Sequence, residues 1–242
     1  METIWTVLII VVASLIKGIT GFGFALVALP LLTFWYSPKE LIPVLILANL
    51  VSSVIIVLQK KERKLINHQF KSLIYSGALF TILGVIVLKF ISEDFVILIM
   101  SIFFIILSVL ALIGVNYTLK LSDLSYKIAG AFCGFLTGCI SVSGPPLALF
   151  LNSAHVDNQE FREIFSWFSI VTSVIALGGY YILGMLTFKM LKLTLLILPI
   201  LFLGSYFGKR LNHLMPSKLF QKVSILMTLV ASVFLLVGLK RT

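Results

Sequence analysis

Charged residues are scarce in this chain. They make up 12% of its 242 residues, whereas 60% are hydrophobic; a typical soluble protein is about half apolar and a quarter charged. One soluble core could not bury this much apolar surface, and stretches long enough to cross a ~30 Å hydrocarbon layer recur along the whole sequence. The composition therefore excludes an ordinary soluble domain and predicts a polytopic protein embedded in the lipid bilayer.

Cysteine is almost absent, and the two that are present, Cys133 and Cys139, lie in one apolar segment. We expect them to pack as small hydrophobic residues, and they predict no disulfide framework. A signal peptide's basic start is also missing, because residues 1 to 5 include Glu2 but neither Lys nor Arg. The first segment is therefore expected to be retained.

The net charge of +10 does not indicate nucleic-acid binding. Lys and Arg mostly occupy short gaps between apolar stretches, as in cytoplasmic loops, and neither a basic helix nor an aromatic platform accompanies them. These gaps do not exceed about a dozen residues, so they leave no room for a soluble catalytic or ligand-binding domain. We expect the function to lie inside the membrane, with no nucleic-acid partner.

About eight hydrophobic segments are predicted. Because they lack the alternation of barrel strands, the predicted fold class is all-α integral membrane. The segments cover residues 4 to 35, 41 to 58, 70 to 91, 95 to 115, 126 to 151, 161 to 185, 190 to 207 and 221 to 239.

Internal matches predict two related four-segment halves, a first membrane repeat at 1–120 and a second at 121–242. Matches at an offset of 120 residues include Glu40 with Glu160, Ser53 with Ser173, Leu83-Gly84 with Leu203-Gly204 and Lys89 with Lys209. At an offset of 117, Thr20-Gly21 matches Thr137-Gly138. An inverted repeat places the basic residues of 60–64 and of 209–222 together in the cytoplasm, which the positive-inside trend favours over a parallel repeat.

The first segment of each half is rich in glycine and proline. These stretches read KGITGFGFALVALP at 17–30 and GFLTGCISVSGPP at 134–146. Glycine costs about 1 kcal/mol and proline about 3 kcal/mol relative to alanine in a helix interior. Broken or re-entrant helices are therefore expected at Gly18, Gly21, Gly23 and Pro30, and at Gly144, Pro145 and Pro146; close packing through small residues is the alternative. Paired broken helices are typical of transporter sites, and their N-terminal ends attract anions.

Lys17 is the only charged side chain well inside an apolar stretch. An intramembrane lysine costs about 3 kcal/mol at mid-depth, so Lys17 either complements an anion held by the glycine turn at 18–23 or snorkels to an interface. At the offset of 117, residues 132–134 occupy the corresponding place and contain no lysine.

Polar residues of two further segments are weaker candidates. A stripe of Asn49, Ser52 and Ser53 is matched by Ser169, Thr172 and Ser173. Such side chains line a permeation path or, more commonly, bond across packed helices. Arg162 and Glu163 open the sixth segment, where they form a solvated helix start or, for Arg162, a contact with an anion at a gate.

Enzyme signatures are missing. The stretch at 141–144, SVSG, has serine where a Gly-x-Ser-Gly nucleophile motif requires glycine, and His68, His155 and His213 fall in predicted loops. The sequence contains no metal-binding cluster, paired intramembrane carboxylates or phosphate-binding loop. We therefore predict neither an enzyme nor a cofactor.

Three stretches in order, GITGFGFALVALPLL, GFLTGCISVSGPPLALFL and EFREIFSWF, resemble the sulfite exporter TauE/SafE family of bacterial and plant membrane transporters. The resemblance covers essentially the entire chain and implies transport of small, often sulfur-containing anions such as sulfite or organosulfonates. It also implies a central site around 18–23, Pro30 and 137–146, with Arg162 matching an arginine often found after the second motif. The sequence SVS at 141–143 departs from the glycine that many members carry.

The expected function is export of a small anion across the plasma membrane by alternating access, with both broken segments meeting near mid-bilayer. The expected substrate-binding residues are Lys17, Gly18, Thr20, Gly21, Gly23, Pro30, Asn49, Thr137, Gly138, Ser141, Ser143, Gly144, Pro145, Pro146 and Arg162. An anion channel and a non-transporting subunit that requires a partner stay open as alternatives, as does a homo-oligomer.

Overall fold

The fold is all-helical in the part of the chain that the structure, a computed structural model, describes: residues 2–20, 23–58, 68–113, 122–153, 158–211 and 217–239. These ranges contain ten α-helices and no strand. The helices are α1 (Glu2–Thr20), α2 (Phe24–Leu32), α3 (Pro38–Leu58), α4 (His68–Phe90), α5 (Glu93–Ile113), α6 (Asp123–Ile140), α7 (Gly144–Ser153), α8 (Asn158–Ile182), α9 (Phe188–Leu211) and α10 (Ser217–Leu239).

Each predicted hydrophobic segment corresponds to one helix or to a broken pair, α1 with α2 and α6 with α7. Among the described residues, five helices contain an apolar stretch long enough to cross a membrane. These stretches are Pro38–Ile55, Phe70–Phe90, Glu93–Leu110, Glu163–Ile182 and Met190–Gly208. The all-helical membrane fold is thus confirmed, whereas the inverted orientation of the two halves stays a prediction.

Two compact units make up the chain. The first consists of residues 1–45, 91–115 and 187–242; within it α1 packs against α9, α5 packs against α10, and α2 contacts both α1 and α10. The second consists of residues 46–90 and 116–186; within it α6 packs against α4, which also contacts α8, and α7 contacts α6 and α8. Each unit therefore contains helices from both sequence halves.

Helix boundaries repeat with an offset of 120 residues. α1 ends at Thr20 and α6 at Ile140, and the starts of α2, α3 and α4 at residues 24, 38 and 68 recur as those of α7, α8 and α9 at 144, 158 and 188. The offset of 117 proposed for the glycine motifs is therefore wrong, because it rests on two matching residues in an apolar sequence. In the corrected alignment Gly18 corresponds to Gly138, and Lys17 corresponds to Thr137.

In the second unit, α4 and α6 approach closely through glycine. A Cβ added at Gly84 would clash with the carbonyl oxygen of Phe135, and a Cβ at Gly138 would overlap the backbone nitrogen of Val85. Small residues permit this approach, which is a main source of helix packing energy in lipid. Gly138 is therefore a packing position inside α6 and not the place where the helix breaks.

The first unit contains related contacts between residues shifted by 120. A Cβ at Gly204 would clash with the side chain of Ser14 and touch the backbone nitrogen of Leu15, and a Cβ at Gly18 would clash with the carbonyl oxygen of Ser205. The expectation that Gly18 and Pro30 interrupt helices is wrong: Gly18 lies inside α1, packed on α9, and Pro30 lies inside α2. The repetition of specific contacts supports duplication of a single ancestral unit.

We expect Gly134→Ala to destabilise the protein by about 1–3 kcal/mol, the usual cost of overpacking, because its Cβ would clash with the Gly77 carbonyl group. Gly178→Ala is the matched control, since no atom lies within 4 Å of a Cβ at that position of α8; it should be neutral or mildly stabilising. The melting temperatures of the two purified variants in detergent test this prediction. An equal decrease in both would contradict the close packing of Gly134 against Gly77.

Candidate functional site

The first helix break lies between α1 and α2. Gly23 directly precedes α2 and has φ 97° and ψ −4°, in the left-handed region that glycine adopts without a Cβ penalty. Its carbonyl accepts a hydrogen bond from the N–H of Val27 at 3.2 Å. The predicted site residue Gly21 and the side chain of Thr20 lie outside the described residues.

The N-terminus of α2 presents backbone donors. The N–H groups of Phe24, Ala25 and Leu26 precede the first complete helical hydrogen bond, and Gly23 provides no side-chain cap for them. The helix dipole adds partial positive charge at this end. Such an end is suited to bind an anion.

Lys17 brings a positive charge to the same break from the last turn of α1. Its side chain is 5% exposed, and its Nζ lies 5.8 Å from the centre of the ring of Phe24, the first residue of α2. Contact with an aromatic face stabilises an ammonium ion, whereas a snorkelling lysine would be exposed. The ammonium and the helix N-terminus together create a positive potential that favours a bound anion.

The second break lies between α6 and α7, and Ser141 forms it. Ser141 has φ 58° and ψ 18°, and it is the single non-glycine residue with positive φ in the described ranges. Its N–H donates to the carbonyl of Thr137 at 3.0 Å, and the carbonyl of Ser143 accepts from Leu147 N–H at 3.1 Å. Ser141 thus adopts a conformation that costs a residue other than glycine roughly 1–2 kcal/mol.

The hydroxyl of Ser141 is buried and unpaired. Its side chain is 3% exposed, and Oγ has no hydrogen-bond partner among the described residues. The hydroxyls of Ser101 and Ser232 share this property in the described ranges, but both lie inside uninterrupted helices. Ser141 combines an unpaired buried hydroxyl with a strained turn at a helix break, so it is the most suitable of the three to bind a ligand.

The two breaks differ in the donors that they offer. Pro145 and Pro146 have no N–H, so α7 presents fewer backbone donors than α2 does. The Thr137 hydroxyl donates to the carbonyl of Cys133 at 2.9 Å, which uses its one proton inside α6. Of the residues predicted at the second break, the ones that still offer donors are therefore Ser141, Ser143 and Gly144.

Two other predicted site residues, Asn49 and Arg162, lie within α3 and α8 and not at a helix break. Asn49 is half-buried on α3, in the second unit, and Arg162 lies in α8 with its side chain outside the described residues. Glu163, expected at a solvated helix start, is instead 8% exposed because α8 turns it into the protein. The described residues contain no cluster of three or more His, Cys, Asp or Glu side chains that could hold a metal ion.

Tyr180 on α8 is a residue that the sequence analysis missed. Its side chain is 0% exposed, and its hydroxyl donates to the carbonyl of Gly138 at 2.6 Å. Gly138 lies in the last turn of α6, where carbonyls lack an intrahelical donor. Tyr180 therefore satisfies a carbonyl next to the second break and fixes the end of α6.

Tyr180→Phe should lower the free energy of unfolding by about 1–3 kcal/mol, because it leaves the buried Gly138 carbonyl without this donor. The neighbouring Tyr181 is 76% exposed, so Tyr181→Phe is a matched control that should change little. Thermal unfolding of both variants in the same detergent checks the difference. An unaffected Tyr180→Phe protein would show that the hydroxyl does not stabilise the end of α6.

A comparison with protein families gives a match over nearly the whole chain. The family described as sulfite exporter TauE/SafE matches residues 6–235, a range that includes both helix breaks. Comparisons with curated proteins and with solved structures give no match.

Proposed function

Because the chain belongs to the sulfite exporter TauE/SafE family, whose members are membrane transporters and not enzymes, we propose that it exports a small sulfur-containing oxyanion, such as sulfite or an organosulfonate, across the plasma membrane by alternating access. One observation carries the proposal. At the break between α1 and α2, the buried ammonium of Lys17 lies beside the first residue of a helix whose N-terminal donors lack a side-chain cap.

The chemistry of a sulfonate or sulfite group suits these donors. Its oxygens share one sulfur atom and carry the negative charge, so one can accept from the Lys17 ammonium while others accept from N–H groups at the start of α2. Charge-assisted hydrogen bonds of this kind are about twice as strong as neutral ones. The second break belongs to the other compact unit, and the hydroxyls of Ser141 and Ser143 are neutral donors there.

Export of a monoanion requires no separate coupling ion in this scheme. The cell interior is negative, and moving one negative charge out through 100 mV gains about 2.3 kcal/mol. We therefore propose facilitated, electrogenic efflux. An imposed inside-negative potential should accelerate the exit of substrate from liposomes that contain the protein, and flux insensitive to the potential would contradict this scheme.

Uptake of labelled sulfite into liposomes should saturate, and organosulfonates should compete better than sulfate or acetate. Lys17→Met should reduce kcat/KM by roughly 10- to 100-fold, because it removes a charge-assisted contact worth about 1.5–3 kcal/mol. Lys192→Met is the matched control: this exposed lysine also lies over a phenylalanine, with Nζ 5.2 Å from the Phe188 ring centre, and its loss should leave transport unchanged.

The outcomes separate the competing functions. Fast flux that does not saturate would favour an anion channel. Folded protein that transports none of these anions would contradict the proposal, and copurification of a second chain in stoichiometric amount would then favour a non-transporting subunit. Equal losses of kcat/KM in the Lys17 and Lys192 variants would show that Lys17 does not bind the substrate.

Ser141→Gly should separate stability from transport. Glycine adopts φ 58° freely, so the variant should be as stable as the parent protein or more stable, while loss of the hydroxyl should raise KM by about fivefold, the equivalent of one ordinary hydrogen bond. Ser101→Ala removes a comparable buried, unpaired hydroxyl within α5 and should leave KM unchanged. Melting temperature and concentration-dependent uptake test both effects, and a KM unchanged in Ser141→Gly would exclude Ser141 as a ligand contact.

A further inference from the structure

A proline inside α2 creates a hydrogen-bonding problem. Pro30 lies within the helix Phe24–Leu32 and has no N–H. The carbonyl of Leu26, four residues earlier, therefore cannot receive the bond that an α-helix normally supplies. Leu26 is buried, and a carbonyl at such a place needs a donor from elsewhere in the protein.

Thr228 provides that donor from another helix of the same unit. It lies on α10 with 0% exposure, and its Oγ1 donates to the Leu26 carbonyl oxygen at 3.2 Å. The two residues are 202 positions apart in the sequence, so the bond is a tertiary contact between α10 and α2. It supplies the Leu26 carbonyl with a replacement for the missing N–H of Pro30.

The bond acts on the part of α2 that faces the break. Leu26 is the third residue of this helix, and its own N–H is one of the donors at the N-terminus. Fixing its carbonyl fixes the peptide groups of the first turn, and with them the direction of those donors relative to Lys17. The second half has no equivalent arrangement, because the residue corresponding to Pro30 is Phe150, which retains its N–H.

We propose that Thr228 is a positioning residue for the anion site: its hydroxyl, bonded to the Leu26 carbonyl that Pro30 leaves unpaired, holds the first turn of α2 in the orientation that binds the anion. The inference rests on the proposed function and extends it to α10. Thr228 does not touch the anion; it acts through α2.

A double-mutant cycle tests this role. Thr228→Val keeps the shape of the side chain and removes the hydroxyl, so KM for labelled sulfite should rise about fivefold, with maximal uptake per folded protein changing less. Thr228→Ser should restore the parent KM. Pro30→Ala gives the Leu26 carbonyl an N–H donor, so in that background Thr228→Val should raise KM by less than about twofold.

Thr194→Val is the matched control. Thr194 is buried in the same unit, and its hydroxyl donates to the carbonyl of Met190 within α9 at 2.9 Å. No proline removes the helical donor of that carbonyl, since residue 194 is itself the residue four positions later. This variant should leave KM unchanged.

Two results would overturn the proposal: an equal rise in KM from Thr228→Val in both backgrounds, or reduced folded protein with an unchanged KM. Melting temperatures of the four proteins of the cycle give a readout that does not depend on transport. If the parent protein transports no anion but the melting temperatures are non-additive, the proposed function and the positioning role are both rejected. The hydrogen bond between Thr228 and Leu26 is then still supported. Additive melting temperatures would reject the bond itself.

Discussion

The structure depends on one constraint: a backbone N–H or C=O group at membrane depth needs a partner within the protein, because lipid provides none. Helices satisfy most of these groups, and the exceptions arise where a helix ends or contains proline. Two such carbonyls, of Gly138 and Leu26, receive hydroxyl donors from Tyr180 and Thr228 on neighbouring helices. The N–H groups at the start of α2 have no side-chain cap, so they are available to a ligand.

Packing between helices imposes the second constraint. Apolar side chains gain little by leaving lipid for a protein interior, so close backbone approach provides much of the packing energy. Gly84 and Gly138 allow it between α4 and α6, and Gly18 and Gly204 allow it between α1 and α9. Because these contacts are related by 120 residues, the same packing solution occurs twice. Similar helix packing therefore precedes both breaks. The residues at the breaks differ, because Lys17 occupies the position that corresponds to Thr137.

Hydropathy was sufficient to predict the helical segments, and their glycine and proline content placed both breaks within the correct ones. Sequence could not show which glycines break a helix: Gly18 and Gly23 belong to one motif, but Gly18 meets the backbone of α9 while Gly23 adopts positive φ. The Gly-Pro-Pro motif at 144–146 predicted the second break, whereas the turn itself is made by Ser141 with a positive φ. Tyr180 and Thr228 could not be found, since their roles depend on contacts 42 and 202 residues away in sequence.

The charge at the first break has a consequence for the proposed substrate. Among the described residues at this break, the ammonium of Lys17 can neutralise one negative charge, and the other donors are neutral N–H groups at the start of α2. A dianion such as sulfate would retain an uncompensated charge in a poorly solvated site, which is costly even when its oxygens are hydrogen-bonded. A monoanion would not. Under the proposed function, charge balance with Lys17 at the first break therefore favours organosulfonates and singly charged sulfite over sulfate.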